Sequence, residues 1–299
     1  MNLNTTVVNI EAPIREQGFH QQITITTKTG KQYEFDEVLV TCPLGWLQKN
    51  KAVFSPEINP RLSQAFDSIS YGRLEKIYVN FPHAFWHATQ VTRLDGIEVD
   101  IKEKSQPLND TEAINPLSGV QFLNPTYVNH PKGIEWHQQC VSLAALPPPH
   151  NRPTLLFYTY GDCGSFVVSH VSKLQKHSEA YNQFLSEFLS PYYSKLPNYS
   201  ASSLDCQPTG FLATEWQNDE FAGYGSYSNF LVGLERGDED IQVMRAGMGT
   251  ERGVWFAGEH TAPFSGLGTT TGSYKSGERA ASQICDRYNL GKVEIEGQQ

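Results

Sequence analysis

Residues 254–281 read VWFAGEHTAPFSGLGTTTGSYKSGERAA. Val254, Trp255, Phe256 and Ala257 form an apolar run that reads as a strand. The strand delivers Glu259 to its carboxyl end, where ligands of α/β folds bind. The turn Gly266-Leu267-Gly268-Thr269-Thr270-Thr271-Gly272 then opens a helix expected over about residues 272–288. Small residues let a flat ligand approach the backbone closely. A helix start offers unpaired N–H groups and partial positive charge, which suits an anion or a group that becomes one during reaction. A plainer alternative stays open: glycine-rich helix starts are common, and Glu259 can act as a structural cap.

Working outward, the N-terminal part is strand-rich. Val7, Val8 and Ile10 predict one strand. Ile23 and Ile25 alternate with threonines, Tyr33 and Phe35 with charged residues, and Lys28-Thr29-Gly30-Lys31 between them is a hairpin turn. Val38-Leu39-Val40 predicts a strand buried on both faces, as in a parallel sheet. Asn59 caps a helix that has Pro60 at its first position and Leu62, Phe66 and Ile69 on its apolar face. Ile77, Val79 and Phe81 alternate with Lys76, Tyr78 and Asn80, a strand with one core face. Residues 87–150 read as loop-rich ground. Residues 154–160 form a strand, and a helix over about residues 173–189 ends at Pro191.

The chain has 299 residues, 39% hydrophobic and 18% charged, which is a globular composition. Its net charge of −9 excludes the basic surface of a nucleic-acid binder and suits a polycationic ligand. Apolar runs are too short for a membrane span, and residues 1–6 carry no apolar signal core. Residues 297–299 carry no peroxisomal address, so the expected location is cytoplasmic. The sequons at Asn4, Asn109 and Asn198 then read as chance matches. Cys42, Cys140, Cys163, Cys206 and Cys285 are scattered, which predicts reduced thiols. His83 and His87 have no further ligands, so no metal site is expected.

Residues 254–281 resemble the C-terminal FAD motif of flavin-containing amine oxidases. Four more stretches agree in the family's order: LNTTVVNI, VLVTCPLGWL, ISYGRLEKIYVNFPHAFW and WQNDEFAGYGSYSN. The resemblance runs from about residue 3 to about residue 288, with gaps in the middle, and is strongest to polyamine oxidases of fungal type. It implies a mixed α/β (α+β) fold. A partial FAD-binding Rossmann-like domain would take residues 1–50 and 237–291. A substrate domain with a mixed β-sheet flanked by helices would take residues 51–236.

The resemblance further implies roles residue by residue. Glu259 would hydrogen-bond the ribityl or pyrophosphate part of FAD, with Gly258, Gly268 and Thr269 lining the same site. The Thr270 N–H would face the flavin pyrimidine edge, and Val8 would lie near the adenine end. Lys76 would hold a water near flavin N5. Trp216 would pack on the isoalloxazine, Tyr227 would wall the substrate cavity, and Thr269 would border that cavity. The implied reaction is oxidation of a polyamine or other secondary amine to an imine, with oxygen reduced to hydrogen peroxide, as in polyamine catabolism. No cysteine adjoins the GSYS or GTTTG segments, so FAD would be held non-covalently.

Two departures from the family pattern matter. No G-x-G-x-x-G follows a first strand, so this chain is expected to bind FAD poorly alone and to depend on an N-terminal FAD-binding portion as partner. Thr269 and Thr271 stand where relatives often have an aromatic residue and a histidine, which implies a more open cavity. Two other functions compete: a non-catalytic binding or scaffold remnant, and a histone-demethylase-type flavin oxidase. The second usually carries a helical tower insertion and chromatin-binding domains, neither of which is visible here.

Overall fold

A computed structural model describes residues 1–15, 21–87, 117–123, 125, 127, 128 and 138–290. The sequon at Asn109, most of the expected loop-rich ground and the C-terminal tail lie outside the described residues. The chain divides into two compact units, residues 1–73 with 216–299, and residues 74–215. These boundaries follow compactness; the expected domain limits at residues 50 and 236 follow role and fall inside the first unit.

In chain order the first unit opens with strands β1 (Val7–Glu11), β2 (Ile23–Thr27), β3 (Gln32–Phe35) and β4 (Val38–Val40). Helix α1 (Leu44–Lys49), β5 (Phe54–Ser55), α2 (Pro60–Ser68) and β6 (Ser70–Tyr71) follow. The second unit holds β7 (Leu74–Asn80), β8 (Gly119–Phe122), β9 (Gln138–Ser142), β10 (Thr154–Tyr160), α3 (Gly161–Val171), α4 (Glu179–Tyr193) and β11 (Gly210–Ala213). The chain then returns to the first unit with β12 (Ser228–Asn229), α5 (Gly237–Ala246), β13 (Val254–Phe256) and α6 (Thr270–Arg287).

In the first unit one sheet runs β3-β2-β1-β5, antiparallel except for the parallel β1–β5 pair. Both apolar runs are strands as expected, and β4 pairs in parallel with β13, Val38 opposite Val254 and Val40 opposite Phe256. The core behind them joins Phe54, Phe66 and Phe256, with edge-on ring contacts at 5.8 and 5.4 Å, to Leu44, Leu62 and Met244. Asn59 caps α2 as expected, its Oδ1 accepting the Leu62 N–H at 2.8 Å. One expectation for β4 fails: Val38 and Val40 are buried, but Leu39 is 39% exposed. Alternation sends it to the face opposite Val38 and Val40.

In the second unit the sheet order is β11-β7-β10-β9-β8. Among the described residues its strands pair antiparallel, and the parallel pairing of β5 with β1 lies in the first unit's sheet. β8 and β9 arise within the stretch read as loop-rich. Helix α4 differs from expectation at both ends. Ser178 caps it, its hydroxyl accepting the Tyr181 N–H, because residues before it turn at His177 with φ 64°. Pro191 sits inside the last turn and does not stop it. Burial of Tyr192 and Tyr193, at 0% and 3% exposure, outweighs one lost backbone donor near a frayed end. All five cysteines are free, three of them buried.

Candidate functional site

Strand β13 is fully buried, so its position is set by the core rather than by the turn that follows it. Gly258, at φ 147°, takes the chain out of the strand, and its N–H donates to Ser276 Oγ on α6 at 2.8 Å. Glu259 then points its carboxylate back at two chain segments. Oε1 accepts the Ser228 N–H at 3.0 Å and the Ser228 hydroxyl at 2.8 Å, and Oε2 accepts the Gly268 N–H at 2.8 Å. One carboxylate thus ties β12 to the turn before α6. Sequence reasoning named Glu259 and quoted GSYS but did not pair Glu259 with Ser228.

The turn itself is built by glycine and threonine. Gly268 has φ 71°, and a Cβ there would lie 2.9 Å from the Tyr227 ring, so the missing side chain lets that ring sit against the turn. Thr269 caps α6, which begins two residues earlier than expected. Its hydroxyl accepts the Gly272 N–H at 2.9 Å and donates to Gly266 O at 2.7 Å. The Thr270 and Thr271 N–H groups have no acceptor among the described residues, and both residues are exposed. Such a donor pair at the positive end of an 18-residue helix suits an acceptor edge that gains negative charge.

At this turn the first unit brings Tyr227 against Gly268 and the Glu259 carboxylate onto the Gly268 N–H. Tyr227 is 37% and Trp216 is 39% exposed, each offering part of an aromatic face. Tyr71 donates its hydroxyl to Ala222 O at 2.8 Å; burial and then the Glu259 charge push its pKa up to about 12. His260 is buried, and burial, followed by the Arg279 charge, lowers its pKa to about 4, so it is neutral at pH 7. Arg279 spans the core of the site, donating to Phe256 O at 2.7 Å and Arg245 O at 3.1 Å.

Val8 is 45% exposed on β1. Its neighbour Val7 lines a cleft of about 320 Å³ together with Thr6, Val38, Leu39, Cys42 and Trp46. Val8 itself is not among the residues that line this cleft, and the β1–β2 register shifts between Val7 and Asn9. Burial pushes the Cys42 thiol up, which favours its neutral form in the cleft wall.

Lys76 belongs to the second unit. On β7 the residues Glu75, Ile77 and Val79 face the core at 0% exposure, while Lys76 and Tyr78 occupy the half-exposed face. The expected alternation therefore holds at Lys76. Sequence reading did not anticipate the buried acid beside it.

The residues present fit a flavin. A free amide pair at a helix start, a cleft bordering the strand ends, and half-exposed aromatic side chains together provide donors and apolar surface for its edge and face. Comparison with known proteins agrees. Residues 1–285 match the family described as flavin containing amine oxidoreductase. Lysine-specific histone demethylase 1 homolog 3 of Oryza sativa subsp. indica is 26% identical over 262 residues, covering 88% of this chain and 26% of that protein. Histone demethylase-like protein A of Aspergillus fumigatus is 25% identical, over 89% of this chain and 20% of its own length. Among solved structures, a variant of putrescine oxidase with redesigned cofactor binding superposes with a TM-score of 0.58 at 15% identity, covering 95% of this chain and 49% of that one. The fold is thus that of a flavin amine oxidase, and the chain spans about half the length of the solved structure and about a quarter of the curated relatives.

Proposed function

We propose, for a chain that belongs to the flavin containing amine oxidoreductase family, that it contributes the amine-binding half of an oxidase acting on polyamines or other secondary amines. FAD is the family's cofactor, and when bound it supplies the hydride-accepting chemistry. The observation that carries the reading is the α6 start, where two free amides lie beside the Glu259–Ser228–Gly268 clamp.

The chain's own residues would divide the work as follows. The Thr270 N–H and the α6 dipole stabilise negative charge on the pyrimidine edge. Glu259, Gly258, Gly268 and Thr269 shape the path of the cofactor's sugar-alcohol chain, and Val8 lies toward its adenine end. Trp216 packs on the ring system. Tyr227 and Thr269 bound the amine cavity, the tyrosine face accommodating the cation before it loses its proton. Lys76 would hold a water near flavin N5. Two substrates, amine and oxygen, are expected, with hydrogen peroxide as product.

We also propose that polypeptide equivalent to the uncovered part of the solved relatives completes the grip on FAD. Among the described residues β4 pairs with β13 alone, and Val38, Leu39 and Val40 line the apolar cleft. The test is to measure FAD binding by flavin fluorescence, with and without that polypeptide. Peroxide release is then followed over putrescine, spermidine, spermine and a dimethyl-lysine peptide. Weak FAD binding by this chain alone, and activity with a polyamine once the complement is added, are expected. Tight FAD binding with full turnover by this chain alone would refute the need for a complement. Turnover of the methylated peptide alone would favour a demethylase, the reading that the names of the curated relatives support.

A further inference from the structure

Strand β11 pairs antiparallel with β7 through Ala213 opposite Ile77, which places Thr214 opposite Lys76. In a regular ladder such a pair exchanges two backbone hydrogen bonds. Here one is present: the Thr214 N–H donates to Lys76 O at 2.9 Å. The other goes to a side chain, the Lys76 N–H donating to Thr214 Oγ1 at 2.9 Å. The same hydroxyl donates to Glu75 Oε2 at 2.6 Å. A hydroxyl has one proton, so the carboxylate fixes where that proton points and turns a lone pair toward the Lys76 amide.

This arrangement explains the buried acid. Strand alternation puts Glu75 on the core face and Lys76 on the half-exposed face. A carboxylate fully shielded from water is retained only with hydrogen-bond partners, and Thr214 is one of them. Lys76 is the third residue of β7, and strand ends open more readily than strand centres. A side-chain clasp at this position holds the Cα and the outward direction of the Cα–Cβ bond, which limits the arc that Nζ sweeps.

We propose that Thr214, anchored by Glu75, is a positioning residue for Lys76. The idea rests on the proposed role of Lys76, yet its test needs neither flavin nor amine. In the 299-residue chain, Thr214→Val removes the hydroxyl at nearly constant shape, and Thr214→Ser keeps it. Two quantities are read. The first is amide hydrogen exchange at Lys76 relative to Ile77 and Val79. The second is acetylation of Lys76 Nζ by N-hydroxysuccinimidyl acetate relative to exposed Lys173, resolved by mass spectrometry.

Thr214→Val is expected to speed exchange at Lys76 by about ten-fold relative to its strand neighbours and to change its relative acetylation by about three-fold or more, with Thr214→Ser returning both to wild type. Uniform acceleration along β7, unchanged acetylation, or no rescue by serine would each overturn the proposal. Should the valine variant not fold, Glu75→Gln weakens the anchor while keeping its volume, and an intermediate change at Lys76 is then expected; no change overturns the role of Glu75. A chain that passes these tests but yields no peroxide in the complemented oxidase assay keeps the clasp and loses the oxidase reading.

Discussion

Three residues in the first unit set measurable limits on the site. Gly272 is buried, and a Cβ there would stand 2.0 Å from Gly266 O and 2.7 Å from the Ala262 Cβ. Neither neighbour is a flexible side-chain end, so Gly272→Ala is expected to cost about 2–3 kcal/mol in chemical denaturation and to displace the turn before α6. His260 has its pKa lowered from 6.5 to about 4. Between those values the unfolded chain binds the proton more readily than the folded one. The stabilising contribution is therefore complete above pH 6.5 and lost as pH falls toward 4. Its full size is on the order of 3 kcal/mol, and His260→Leu should flatten that part of the acid limb in urea titrations between pH 7 and pH 4. Tyr71 has the opposite sign. Its pKa rises from 10.0 to about 12, so its contribution holds below pH 10 and is lost as pH climbs through 12. Tyr71→Phe should shrink the alkaline loss of stability measured over that range.

At the scale of elements, the parts legible in the sequence were those decided locally. Asn59-Pro60 carries its own cap, and Asn59→Ala is expected to lower stability by about 1 kcal/mol in thermal or urea unfolding. Ile77 and Val79 announced the core face of β7, and the apolar residues 254–257 announced β13. What could not be read depended on distant partners. Pro191 is a strong stop signal, yet α4 runs past it because Tyr192 and Tyr193 fill the core of the second unit. Leu39 reads as buried until it is known which face of β4 the rest of the chain covers. At the site, Glu259 and the threonine turn were legible as a motif. The bonds from Ser228 and from Thr214 were not, since each links residues more than thirty positions apart.

Across the whole molecule, charge and connectivity govern behaviour. A net charge of −9 would draw a polyamine toward the protein and less so a neutral amine. In the complemented oxidase, kcat/KM for spermidine should therefore fall as salt is raised from low to physiological strength, while that for a monoamine changes less, measured by steady-state peroxide release. Connectivity has a different consequence. Residues 74–215 form one continuous unit, whereas β4 must wait for β13, more than two hundred residues downstream, before its parallel pairing can close. On the ribosome residues 74–215 can therefore fold as soon as they emerge, while β4 stays without its β13 partner until residues 254–256 have been made. During that interval the apolar edge at residues 38–40 is the segment a chaperone should engage.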